Sequence, residues 1–132
     1  MSGAVGLASG LTLALDATPT VEILLSTTKT VSGQPISYPA GTAEITGAIV
    51  TLEPGQRTGW HRHDVPLFAY VLEGELTIDY GDAGVHVFSA GDAFVEAMGT
   101  DHNGMISGQT SARVLAVFAG AEGTPNTVPS QR

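Results

Sequence analysis

The chain has no cysteine, which excludes disulfides, thiolate nucleophiles and cysteine-ligated metal. It is also poor in basic residues, with five Lys and Arg against thirteen Asp and Glu and a formal net charge of -8. Those five are scattered, so no basic stripe exists to neutralise a phosphate backbone, and nucleic-acid binding is not expected. Charged residues make up only 14% of the chain, and no stretch repeats its apolar residues at the helical period. The longest apolar stretch, residues 3–15, is too short to span a bilayer. No Lys or Arg precedes Lys29, so that stretch lacks the basic start of a secretory signal. A cytoplasmic protein with no membrane contact is the default expectation. The apolar start keeps a periplasmic or secreted one as the alternative.

What the chain does have is 42% hydrophobic residues, seventeen glycines and seven prolines in 132 residues. That length suits one domain with a sizeable core. Short apolar segments recur at residues 21–25, 43–52, 67–72, 75–80, 85–88, 93–96 and 112–118. Turn formers separate them: Glu53-Pro54-Gly55, Glu73-Gly74, Gly81-Asp82-Ala83-Gly84 and Ala90-Gly91-Asp92. Strands at this spacing predict an all-β sandwich or barrel. Residues 1–20 read as an apolar arm in which Leu11, Leu13 and Leu15, spaced by two, form a strand at a sheet edge. Such an arm fits a homodimer built by edge pairing. Residues 21–119 read as the β-domain and 120–132 as a turn-rich surface tail.

Three of the four histidines fall into one pattern. His61 and His63 are two residues apart, so on a strand both point the same way, about 7 Å apart, while Trp60 and Arg62 point the other way. His102, further on, can supply a third imidazole. A metal site is the first hypothesis, against the blander reading of two surface strand histidines and an unrelated third. His86 stands alone between Val85 and Val87 and is expected on an outer face. Asp64 and Asp101 read as turn residues.

Around these residues the sequence resembles the cupin superfamily, over roughly residues 43 to 119. Gly55, His61, His63 and Gly74 fall on that family's first motif, and Gly91, Gly99 and His102 on its second, in order and at the expected spacing. The resemblance implies a jelly-roll barrel that holds a metal near one mouth, and small cupins of this kind resemble homodimers. The departures are specific. Leu67 stands where the family has its glutamate ligand, Ala97 where it has proline, and Ile106 where it has asparagine, although Asn103 lies beside His102.

A leucine cannot bind the ion, so the site is either three histidines with more open positions or one that recruits another carboxylate. The best substitute is Glu96, which shares a strand face with Phe94. By the family pattern that face looks into the barrel, where a carboxylate requires a partner or a metal. Glu96 is read as a fourth ligand, a group orienting a histidine, or a general base, against a solvated residue at a strand end. Phe68, Tyr70, Phe94, Met98 and Met105 are expected to line the pocket. The expected cofactor is one divalent transition ion: Fe, Mn, Zn, Ni or Cu. The expected function is metal-dependent chemistry on a small oxygenated molecule, of dioxygenase, isomerase, lyase or decarboxylase type. Alternatives are a non-catalytic cupin binding a sugar or carboxylate, and a vestigial metal site.

Overall fold

The computed structural model describes residues 18–132. All but the last three positions of the apolar arm at 1–20, and with them its pairing role, lie outside the described residues. The remainder is built of strands, with one 3-10 turn at Gly81–Ala83. Among the described residues no helix is long and apolar enough to cross a membrane.

In chain order the strands are β1 (Ala43–Leu52), β2 (His61–Arg62), β3 (Leu67–Glu73), β4 (Glu75–Asp79), β5 (Val85–Ser89), β6 (Ala93–Val95), β7 (Asn103–Met105), β8 (Ala112–Ala121) and β9 (Val128–Pro129). They form a four-stranded sheet in the order β1-β8-β3-β6, a three-stranded sheet β5-β4-β7, and a short ribbon β9-β2. All pairings are antiparallel, and the longest joins β1 to β8 from Ala43 opposite Ala121 to Leu52 opposite Ala112.

The alternation of side chains explains which face is interior. In β3, Leu67, Ala69 and Val71 are buried while Phe68 and Tyr70 are half-buried on the other face. In β8, Ala112, Val114 and Ala116 are buried in the same rhythm. Leu76 and Ile78 of the second sheet meet this layer to complete the core. Phe88 of β5 stacks on Phe94 of β6, with ring centroids 3.8 Å apart and planes 15° from parallel, so one aromatic pair joins the two sheets. Alanines along β3 and β8 fill little volume, which leaves a cavity between the sheets beside the histidines.

Residues 21–25 are a correction to the sequence reading, because they join no ladder, and Val21 and Ile23 are largely exposed. The place beside β6 where a further strand could pair is occupied instead by the following loop, with Val31 N–H donating to Val95 O at 2.8 Å. Strands β7 and β9 are too short to leave an alternating pattern in the sequence, and β2 covers only His61 and Arg62 of the strand on which the sequence reading places His61 and His63. Residues 120–132 begin with the buried end of β8, Gly120 and Ala121, and then contribute β9, which closes on β2.

The turn joining β3 to β4 turns on Gly74, whose φ is +78 and whose missing side chain makes room for Ser111 O. A Cβ there would lie 2.2 Å from that oxygen and 2.9 Å from Ala112 Cα, both backbone atoms that cannot swing away. Gly74→Ala is therefore expected to destabilise the protein by about 2 kcal/mol or more in urea unfolding. Gly55→Ala, with a similar φ but open space around it, should cost about 1 kcal/mol. Equal midpoints for the two variants would contradict this account.

Candidate metal centre

His61 and His102 face each other across an isolated antiparallel bridge and exchange both backbone hydrogen bonds, His61 N–H to His102 O at 3.0 Å and His102 N–H to His61 O at 2.8 Å. Directly opposed residues of an antiparallel pair present their side chains on one face, and the two rings sit 4.4 Å apart. His63 follows two residues after His61, and Gly99 N–H donates to its carbonyl at 2.8 Å. Its ring lies 4.9 Å from that of His61 and 5.1 Å from that of His102. One nitrogen from each histidine lies within 4.8 Å of the others, close enough for the three to hold a single ion.

Each ring is oriented by a backbone carbonyl. His61 Nδ1 donates to Gly59 O at 2.7 Å, His63 Nδ1 to Asn126 O at 3.0 Å, and His102 Nδ1 to Thr100 O at 2.8 Å. A carbonyl oxygen has no proton to give, so each Nδ1 carries the hydrogen and each Nε2 is left as a bare lone pair. Burial, the dominant effect, lowers the proton affinity of all three rings, and brings the His63 pKa to about 4. At neutral pH the cluster is thus three neutral imidazoles, the state a metal requires.

Glu96 is buried directly beyond β6 and lines the same cavity as His61 and His102. Its Oε1 accepts from Tyr80 Oη at 2.5 Å and from Ala97 N–H at 2.9 Å. Its Oε2 lies 3.4 Å from His102 Nε2, without the alignment of a hydrogen bond, and that nitrogen has no hydrogen-bond partner. A buried lone pair faces a buried carboxylate oxygen. Such an arrangement is unfavourable unless a proton or a cation lies between them. Burial raises the Glu96 pKa, opposed by its bonds from Tyr80 and Ala97. Burial and the adjacent carboxylate both push the Tyr80 phenol upward, so it stays protonated and donates. The donor set and the unpartnered nitrogen fit a metal.

Leu67 is buried in the cavity wall beside these groups, so the place of the expected glutamate is interior and apolar. Phe94 also lines the cavity. The other four expected pocket residues are corrected, because none lines it. Phe68 and Tyr70 alternate with the inward Leu67 and Ala69, and Phe68 lines an outer cleft with Leu25 and Tyr38. On β7 it is Gly104 that faces the cavity, which turns Met105 outward to meet Arg57 Nη1 at 3.7 Å. Met98 comes after β6 has ended, where its backbone bonds the Gln34 side chain. His86 is likewise corrected: Val85 and Val87 are exposed, so His86 is turned inward against Tyr80, with ring centroids 5.1 Å apart. Trp60 packs outside under the Arg132 guanidinium, 3.9 Å from its ring. Sequence reading missed Tyr80 and Asn126. Tyr80 ends an apolar strand like any core residue, and Asn126 acts through its backbone, which leaves no signature in side-chain type.

Residues 48–118 match the family model for a cupin domain. No curated protein matches the chain in sequence. Among solved structures it is similar to an oxalate decarboxylase of Lactobacillus farciminis in complex with formate, at 24% identity and TM-score 0.56 over 68% of this chain and 27% of that one. A Bacillus subtilis oxalate decarboxylase with Mn(II) centres gives 23% identity and TM-score 0.53 over 64% and 23%. An uncharacterised Klebsiella pneumoniae protein with a double-stranded β-helix domain gives 18% identity and TM-score 0.55 over 85% and 92%. The chain spans about a quarter of the length of the two decarboxylases. At these identities the likeness is one of fold.

The depressed His63 pKa makes a stability prediction. Between about pH 6.5 and about 4 the unfolded chain binds a proton at this position that the native one does not. Stability contributed here is therefore present above pH 6.5 and is lost as pH falls through that window. Glu96, with a raised pKa, acts in the opposite sense, so the comparison is made against a variant. Metal-free wild type should lose about 2–3 kcal/mol relative to His63→Gln between pH 7 and pH 4 in urea unfolding. Parallel curves would show that His63 titrates normally.

Proposed function

The chain belongs to the cupin domain family, and on that footing we propose that it is a mononuclear metal-dependent enzyme acting on a small oxygenated molecule. The reaction is of dioxygenase, isomerase, lyase or decarboxylase type. His61, His63 and His102 hold the ion and Glu96 moves a proton beside it. The observation that carries this reading is that one nitrogen of each histidine lies within 4.8 Å of the others while each Nδ1 is engaged by a carbonyl, with His102 Nε2 buried and unpartnered. The mutual approach of the donor atoms speaks against a vestigial site, which would have let the rings drift apart.

A divalent transition ion held by His61, His63 and His102 would supply a Lewis acid for an oxygen of the substrate. Imidazole donors without thiolate suit Zn, Cu, Ni, Fe or Mn. The rest is done by the chain itself. The carbonyls of Gly59, Thr100 and Asn126 fix the ring tautomers. Tyr80 and Ala97 N–H anchor Glu96 Oε1, which leaves Oε2 as the atom that takes up and returns a proton at the cavity wall. Burial raises its pKa above the ordinary carboxylate value, which favours the proton-carrying form that the transfer requires. The partner expectation carries over as part of the same proposal: a second copy of the chain, supported by Ile45 and Ile49 exposed along the sheet-edge strand β1. A monomer mass by light scattering would remove it.

Protein purified without an affinity tag is expected to carry about one transition ion per chain by elemental analysis. His102→Ala should lose more than about 100-fold in metal affinity, beyond the range of an outer-sphere change. Glu96→Gln should keep the ion within about that range, since Glu96 is assigned to proton transfer and not to ligation. Tag-free wild type that neither contains nor takes up an ion would sink the metal reading. Loss of the ion in Glu96→Gln would make Glu96 a ligand.

A further inference from the structure

The charge and polarity of the cavity wall specify a ligand class. Apart from the two histidines and Glu96, the side chains lining the cavity are apolar or small, among them Leu52, Leu67, Leu76, Ile78, Phe94 and Val114. Thr58 adds a hydroxyl, but that hydroxyl already accepts from Gly104 N–H at 2.8 Å and donates to Gly59 O at 2.9 Å. No Lys or Arg lines the cavity, and the whole chain has only five to offer. Arg62 pairs with Asp64 and Arg113 with Glu73, each at 3.1 Å. Arg132 lies over Trp60, Arg57 reaches Met105, and Lys29 is exposed in the loop before β1. The residues before position 18 contain neither Lys nor Arg.

We infer that this cavity takes a small ligand with one metal-binding oxygen headgroup and an apolar body, and that it discriminates against ligands carrying a second charged group. The inference rests on the metal reading above and specifies the substrate class of the same site. Its physical basis is the difference between two fates of the ligand's far end. A hydrocarbon body replaces water against Leu, Ile, Val and Phe side chains, which is favourable in proportion to the area covered. A second carboxylate at the same place gives up its hydration and, among the described residues, meets no cation and no free donor, and the acidic Glu96 stands nearby. Leu67 contributes twice: it offers no carboxylate to an ion held by the histidines, and it extends the apolar wall of the cavity that His61 and His102 line.

The test holds the headgroup constant and varies the body. Co(II) is added to metal-free protein and its visible absorption is followed on titration with three hydroxamates: acetohydroxamate, isovalerohydroxamate and the monohydroxamate of succinate. The last two are close in size and differ in an isopropyl group against a carboxymethyl group. Isovalerohydroxamate is expected to bind at least tenfold tighter than acetohydroxamate, and the succinate derivative no tighter than acetohydroxamate. Succinate monohydroxamate binding as tightly as isovalerohydroxamate overturns the inference while leaving the metal site intact. A protein that develops no cobalt absorption overturns the metal reading itself and this inference with it. Ala116→Leu narrows the cavity without touching a donor and should cut the isovaleryl preference at least fivefold while retaining the cobalt spectrum. A preference unchanged in that variant would place the ligand body outside the cavity and overturn the assignment.

Discussion

The reciprocal backbone hydrogen bonds between His61 and His102 are the constraint on which the site depends. They join two segments far apart in sequence and fix their register, and register decides which side chains share a face. A slip of one residue would turn either imidazole away from the cluster. With the register set, the tautomers follow, because the carbonyls of Gly59 and Thr100 lie two residues from their histidines and take the Nδ1 protons. Both Nε2 atoms are thereby left free of hydrogen by backbone carbonyls.

The polar part of the centre is concentrated at one end of an otherwise apolar cavity. Its carboxylate comes from Glu96, just past β6, and not from the position of Leu67 at the start of β3. The two places are adjacent, since Glu96 N–H donates to Leu67 O at 2.9 Å. The carboxylate is thus displaced by one strand and anchored by Tyr80 from the second sheet. Three elements now meet at one oxygen pair. The interior accepts a buried acid because two donors satisfy Oε1, while Oε2 stays directed at His102.

The C-terminal tail completes the histidine cluster. Asn126 O and Thr127 Oγ1 meet His63 Nδ1, and β9 pairs with the strand that carries His61. Ser130 hydroxyl donates to Asp101, next to His102, at 2.7 Å, and Ser130 N–H donates to Trp60 O at 3.0 Å. A segment that reads as a surface tail holds the His63 ring directly and braces the segments that carry the other two. It also explains why Arg132 is occupied at Trp60 and is not a free cation near the cavity mouth.

The long strands were legible because their side chains alternate over many residues: residues 43–52 coincide with β1, and β3, β4, β5, β6 and β8 differ from their expected limits by a few terminal positions. The His-x-His pair with His102 was legible from residue type and motif spacing, as was the loss of a ligand at Leu67. The face of a strand was harder to read. Phe68 and Tyr70 are large and apolar, which made them candidate pocket residues, yet register places the smaller Ala69 and Leu67 inside. His86 looked like an outer residue because its valine neighbours are apolar, but those valines are the exposed ones.

By itself the sequence determined an all-β domain, three histidines at motif spacing, the absence of thiolate and a scarcity of positive charge, because each of these depends only on which residues are present and at what spacing. Only the tertiary structure decided that Glu96 faces His102, that Tyr80 holds it, that the tail supports His63, and that no cation reaches the cavity. Those are relations between segments distant in the chain. They are set by strand register and sheet packing, which no local pattern of residues specifies.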